Sequence, residues 1–141
     1  RLWSLHGEGT RGENRQNPAI FDRLAQEFPQ PWQVRPQGTT LADRIYLEWG
    51  ERFDWPDLSA ADGGEAGFCM GLRDQVGVLV DGTVVPCCLD HEGDIPLGNL
   101  YRQTLEEILD SPRARAIYDG FSRRKAVEPL CRRCGYARRF R

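Results

Sequence analysis

Apolar residues recur at Ile20, Phe21, Leu24, Ala25 and Phe28, the spacing of one helix face. Asn17-Pro18 supplies a start, with Asn as the cap and Pro in the first turn, and Pro29 supplies a stop. The period then changes. "RIYLEW" (44–49) alternates and is rich in aromatic and β-branched residues, which predicts a strand. Between the two, "PQPWQVRPQGTT" (29–40) carries three prolines and reads as a connector. Ahead of the helix, residues 1–16 hold one short apolar alternation and then a loop rich in glycine and charge. After the strand, "ERFDWPDLSAADGGEAG" reads as an aromatic-bearing loop that leads to Cys69.

The strongest pattern is a hairpin. "QVGVLV" (75–80) and "TVVP" (83–86) flank Asp81-Gly82, a pair that predicts a two-residue type I′ turn in which both central residues take positive φ. Pro86 has no N–H to donate and ends the ladder. A loop containing "DIPLGNL" leads to Thr104-Leu-Glu-Glu107, a capping box that starts a helix. Ser111-Pro112 restarts the chain as a second helix through about Phe121, and "EPLCRRCGY" (128–136) reads as a turn-rich knuckle. Few strands, all expected to be antiparallel, give an α+β fold. Its core is expected to be the hairpin covered by the helices of 104–121, a small antiparallel sheet packed by short α-helices around a four-cysteine metal site.

Composition bounds this picture. The chain has 141 residues, 40% hydrophobic, with a mean hydropathy of -0.58, which suits one domain, or one domain plus a fragment of another. No apolar run approaches the roughly 18 residues of a membrane span, and no signal peptide is visible. The chain opens on Arg1 and its single methionine is Met70, so it reads as a piece of a longer protein. Its five cysteines are an odd number, and a chain of this size folds without covalent staples. Reduced thiols and a cytoplasmic location are therefore expected. Charge is uneven: residues 121–141 carry eight Lys or Arg and one acid, within a chain whose net charge is -2. A basic tail points either to nucleic acid or to a positive shell around a local anion.

The cysteines carry the chemistry. Cys131-x-x-Cys134 is a turn on which two sulfurs converge, a spacing shared by zinc knuckles, iron–sulfur sites and redox pairs. Cys69 and Cys87 lie on either side of the hairpin, which brings them together despite seventeen intervening residues. Four thiols in two pairs make a tetrahedral metal site; the bland alternative is four small buried hydrophobes. Ligand type alone does not separate zinc from an iron–sulfur cluster, because both accept four thiolates.

The run Cys69, twelve residues, Gly82, four residues, Cys87 resembles the opening motif of the SPASM/twitch domain at the C-terminus of radical S-adenosylmethionine enzymes. "GTVVPC" (82–87), "LGNL" (97–100), "TLEEIL" (104–109) and "CRRC" (131–134) resemble that family in content and order. The resemblance implies that residues 61–141 form the cysteine cluster domain, and that residues 1–60 are the remnant of a preceding catalytic barrel plus a linker. It implies that Cys69, Cys87, Cys131 and Cys134 bind one [4Fe-4S] cluster, which passes electrons to or from a substrate radical or helps shape the substrate site. With four cysteine ligands no iron is left open for substrate, which favours electron transfer. A full SPASM domain continues with three more cysteines and holds two clusters; here Phe140 stands where the next would fall, so the chain resembles the shorter twitch version. The Cys-x3-Cys-x2-Cys motif that binds the catalytic cluster and S-adenosylmethionine does not occur in the sequence, so the chain alone is expected to be inactive. Its own barrel is then its first partner, and the substrate is a peptide, a protein or a small molecule. Cys88 should point away from Cys87 if strand geometry continues, which favours a packed thiol over a substitute ligand in a reorganised site.

The rival is a zinc-stapled binding module that touches RNA or a partner protein through its basic tail. Zinc can also occupy the cluster position in an isolated fragment. A thiol–disulfide enzyme using Cys131 and Cys134 lacks the expected βαβ setting. "HGEGTRGEN" (6–14) lacks the Lys-Ser/Thr of a phosphate loop and reads as a loop, and His6 and His91 read as surface-loop histidines. Trp49, Phe53 and Trp55 are expected to plug a loop onto the core, and the tail arginines to offset the charge of a thiolate-bound metal. Nucleic acid and membrane are the disfavoured partners.

Overall fold

The computed structural model describes residues 1–3, 14–36 and 38–140. His6 and the glycine-rich loop, apart from Asn14, lie outside the described residues. The chain forms two compact units, Arg1–Arg52 and Phe53–Arg141.

In the first unit, β1 (Leu2–Trp3), α1 (Asn17–Glu27), β2 (Gln33–Arg35), β3 (Gly38–Ala42) and β4 (Ile45–Gly50) follow in order. The sheet runs β1-β4-β3-β2. β2, β3 and β4 are antiparallel, and β1 joins β4 in parallel with Leu2 opposite Trp49. The helix and the strand at 44–49 stand where the residue pattern places them. Two details differ. Asn17 is the first helical residue, not the cap; Gln16 takes that position without a side-chain bond, its own N–H donating to Asn14 Oδ1 at 2.8 Å. The proline-rich connector contains two strands. Pro31 precedes β2 and Pro36 follows it, so the prolines bound the strand rather than interrupt its ladder.

In the second unit, β5 (Gly77–Val78), β6 (Thr83–Val85) and β7 (Gly98–Asn99) form an antiparallel sheet in the order β5-β6-β7. The turn is not type I′. Gly82 alone takes positive φ, +82°, while its N–H donates to Leu79 O at 2.9 Å and the Leu79 N–H donates to Thr83 O at 2.8 Å. This is a type I turn closed by a left-handed glycine, the three-residue alternative for hairpins. The cause is the Asp81 side chain: Oδ1 accepts the Thr83 N–H at 3.0 Å and Oδ2 accepts the Thr83 hydroxyl at 3.0 Å, a local bond that competes with the two-residue turn. The "LGNL" stretch, expected as loop, supplies β7.

The helices α2 (Leu105–Leu109) and α3 (Pro112–Ser122) start as their capping residues dictate. Thr104 Oγ1 accepts the Glu107 N–H at 3.2 Å, Glu107 Oε2 accepts the Thr104 N–H at 2.8 Å, and Ser111 Oγ accepts the Ala114 N–H at 3.3 Å. The knuckle is more regular than a turn: it holds the short helices α4 (Pro129–Arg132) and α5 (Gly135–Arg138). Val84, Ile95, Leu97, Ile108, Ala114, Ile117 and Phe121 form one buried cluster that also includes Leu130, Cys69 and Cys134. Each fully buried aliphatic side chain stabilises by about 1.5–3 kcal/mol. The core is the hairpin under α2 and α3, as the sequence pattern implies, and the fold class is α+β.

Candidate metal centre

Three segments deliver the cysteines. Cys69 opens a tight turn in which the N–H of Arg73 and of Asp74 donate to Met70 O at 3.1 and 3.0 Å. The Leu72 N–H, in the same turn, reaches Gln75 O at 2.9 Å and Pro86 O at 3.2 Å, which seats this turn beside the end of β6. Gly71 fills the space between. Its N–H donates to Cys69 Sγ at 3.4 Å, and a Cβ there would lie 3.2 Å from Pro86 O and 3.7 Å from both Cys69 Sγ and Cys87 Cβ. Cys87 follows Pro86 and begins a turn closed by the Asp90 N–H on Cys87 O at 3.2 Å. Cys131 lies in α4 and Cys134 occupies the N-cap position of α5, with its N–H on Cys131 O at 3.3 Å.

The thiols are electrostatic neighbours. Burial pushes the Cys87 thiol up to about 11, and the neighbouring sulfurs of Cys69 and Cys134 push in the same direction. Burial raises Cys131 further, with Cys87, Cys69, Cys134 and the Glu128 carboxylate adding to it. Burial also raises Cys69, the Gly71 amide opposes it, and Cys134 and Cys88 add to the rise. Four thiolates in one place repel one another and favour protonation unless a cation compensates them. All five cysteines are free thiols. Cys69 and Cys134 are buried, Cys87 and Cys131 are half-buried, and Cys88 is exposed.

Among the described residues, no three His, Cys, Asp or Glu side chains converge closely enough to hold one metal ion. Thiolates sharing one zinc at about 2.3 Å lie about 3.8 Å apart. A four-iron cluster takes each thiolate on a separate iron and therefore spaces them more widely. Four free thiols, with Cys69, Cys87 and Cys131 each raised by neighbouring sulfurs, are the donor set that a four-thiolate cluster takes.

Residues 69–135 match the family model of SPASM, an iron-sulfur cluster-binding domain. The match covers a little under half of the chain. It starts on Cys69 and ends one residue after Cys134, so all four thiols fall inside it. No curated protein and no solved structure matched the chain. The family it is similar to is one that binds iron–sulfur clusters.

The remaining candidates fall elsewhere. His91 is exposed, packs edge-on against Trp55 with 5.5 Å between ring centres, and lies 3.2 Å from Glu92. Phe140 packs on Tyr136 at 5.3 Å and on Phe68 at 6.2 Å. The aromatic trio divides: Trp49 packs on Phe21 in the first unit, whereas Phe53 packs on Tyr136 of α5 at 5.3 Å in the second. The basic tail has partners other than the thiols. Arg132 and Arg133 reach Asp62 at 3.0 and 3.3 Å, Lys125 reaches Glu65 at 2.9 Å, and Arg133 Nε and Arg138 Nη2 donate to the carbonyls of Ala60 and Ala61 at 2.9 and 3.2 Å. The shell expected around a bound metal is thus a clamp on residues 60–65. Two features had no signal in the residue pattern. Gly71 is visible only as a small residue two places after Cys69. The Arg113–Glu128 pair, with Nε–Oε1 at 2.7 Å, joins positions with no shared period.

Proposed function

We propose that Cys69, Cys87, Cys131 and Cys134 hold one [4Fe-4S] cluster, and that this segment is a SPASM domain that serves as the auxiliary-cluster, twitch-type domain of a radical S-adenosylmethionine enzyme. The observation that supports this reading is that three separate segments bring free thiols into one electrostatic neighbourhood, in which Cys69, Cys87 and Cys131 are each pushed up by burial and by other sulfurs. When bound, the cluster supplies one-electron redox chemistry.

The chain's own residues do the rest. The Met70–Gln75 turn and the Leu72–Pro86 bond set Cys69 against Cys87, and α4 and α5 set Cys131 against Cys134. Burial of Cys69 and Cys134 in the apolar cluster keeps water from one side of the site. Four protein ligands leave no open coordination position, so electron transfer to or from substrate is favoured over direct substrate ligation. Radical generation belongs to a catalytic domain with its own Cys-x3-Cys-x2-Cys motif, and that domain is the proposed first partner. Free thiols suit a reducing compartment such as the cytoplasm.

Zinc, with an RNA- or protein-binding tail, is the reading to separate from this one. It rests on the same four thiols and on the basic tail, of which Lys125, Arg132 and Arg133 pair with Glu65 and Asp62 and Arg138 reaches a backbone carbonyl. Anaerobic reconstitution of the chain with iron and sulfide decides the matter. Broad brown absorption with about four irons per chain is expected. One tightly held zinc with no iron uptake would overturn the cluster assignment. Cys88→Ser should load like the parent chain, whereas Cys→Ser at any of the other four should not.

A further inference from the structure

Arg113 and Glu128 form the best-defined ion pair of the second unit. Arg113 Nε and Nη2 donate to the two carboxylate oxygens of Glu128 at 2.7 and 2.9 Å, and Nη1 donates to Pro96 O at 3.2 Å. The Glu128 side chain is only 13% exposed, so its charge is largely removed from water. Glu128 is also the N-cap of α4, and its carbonyl accepts the Arg132 N–H at 3.1 Å. The pair therefore ties three segments together: the start of α3, the loop leading into β7, and the helix that carries Cys131.

Glu128 caps the helix that carries Cys131 three residues later, and Arg113 is locked onto its carboxylate, so both charges lie beside the segment that delivers this thiol. A half-buried carboxylate is a poor neighbour for a thiolate-bound cluster, which carries net negative charge and gains more on reduction. A bidentate guanidinium removes that conflict, because its fork matches both carboxylate oxygens and it stays charged at every working pH.

We propose that Arg113 and Glu128 are a positioning and tuning pair for the auxiliary cluster: Glu128 fixes the start of the Cys131 helix, and Arg113 cancels its charge so that the cluster remains reducible. This rests on the cluster assignment above. Net charge and hydrogen bonding near the sulfurs are established levers on iron–sulfur potential, and opposite charges at one locus must shift it in opposite directions.

The test is a potentiometric titration, followed by electron paramagnetic resonance, of the whole chain reconstituted anaerobically at fixed pH. Glu128→Gln removes a negative charge and should raise the midpoint potential. Arg113→Gln leaves the carboxylate uncompensated and should lower it. The double variant should return close to the parent value, and Arg113→Lys, which keeps charge but loses the fork, should stay closer to the parent than Arg113→Gln. A merely structural brace would change iron retention or melting without this opposed pattern. Unmoved or same-direction shifts in loaded protein would overturn the pair's role. If Arg113→Gln does not load, Glu128→Gln and Arg113→Lys still decide, because an unchanged potential in Glu128→Gln refutes the proposal. A parent chain that takes up no iron would overturn the cluster assignment and this inference with it, a different outcome from loaded chains with unmoved potentials.

Discussion

The Leu72 amide donates to the Pro86 carbonyl at 3.2 Å, and this link closes the gap between the segments that carry Cys69 and Cys87. Leu72 holds φ at +62°, a region that branched residues seldom occupy, so the turn retains local strain in exchange for that bond.

Leu72→Pro removes the donor and cannot take a positive φ. We expect about 3 kcal/mol or more of lost stability in the metal-free chain, together with failure to load iron. Denaturant unfolding and iron analysis check both. Normal loading would show that the hairpin alone aligns the two cysteines.

The capping box at Thr104 is reciprocal, with both bonds formed. Thr104→Ala should lower stability by about 1 kcal/mol. Thermal melting of the metal-free chain measures this, and Thr104→Ser should recover most of the loss. No change would mean that α2 is held by packing of Ile108 alone.

The raised thiols give the metal-free form an alkaline weakness. In the unfolded chain a thiol ionises near its ordinary value of 9, whereas Cys87 in the folded chain resists ionisation to about 11. A folded value above the unfolded one means stability that is complete below pH 9 and lost progressively between about 9 and 11. Cys131 and Cys69 shift in the same direction and steepen the loss. Melting curves of the metal-free chain across this range should fall, whereas the iron-loaded form, whose thiolates are already deprotonated, should not show the same decline.

Asp62 joins the two arginines of the Cys131–Cys134 knuckle to the loop before Cys69. The Gly64 N–H on its carboxylate, followed by the charges of Arg132 and Arg133, holds it below its ordinary value of 3.8, so this contribution is present near neutrality and lost as pH falls through that region. Asp62→Asn should therefore speed amide exchange in α4 at neutral pH and remove the difference from the parent chain in acid. Equal exchange rates at neutral pH would show that the clamp is idle.

Local chemistry was legible in the sequence, and long-range pairing was not. The capping residues of α2 and α3, the proline that ends β6 and the Cys-x-x-Cys spacing each act within a few residues, and they appear where the pattern places them. The strands β2 and β3 were hidden because their pairing, Val34 opposite Thr39, lies in a stretch whose prolines suggest irregularity. The turn type was missed because it depends on which bond the Asp81 side chain makes. The partners of Arg132 and Arg133 were invisible because Asp62 is separated from them by the entire hairpin and the helices α2 and α3. The approach of Cys69 to Cys87 was readable from topology, since a hairpin reunites its ends. Gly71, which makes their close approach possible, was not.

The four cysteines stand at the two ends of the matched segment, with α2 and α3 lying in the chain between them. A cluster bound to all four would therefore close a covalent ring through iron and sulfur around the core helices. Loading would lower the entropy of the unfolded chain much as a long-range crosslink does. A backbone cut in the loop between Cys88 and Cys131 would then leave two fragments still joined through the inorganic core, and they would separate only when the iron is withdrawn.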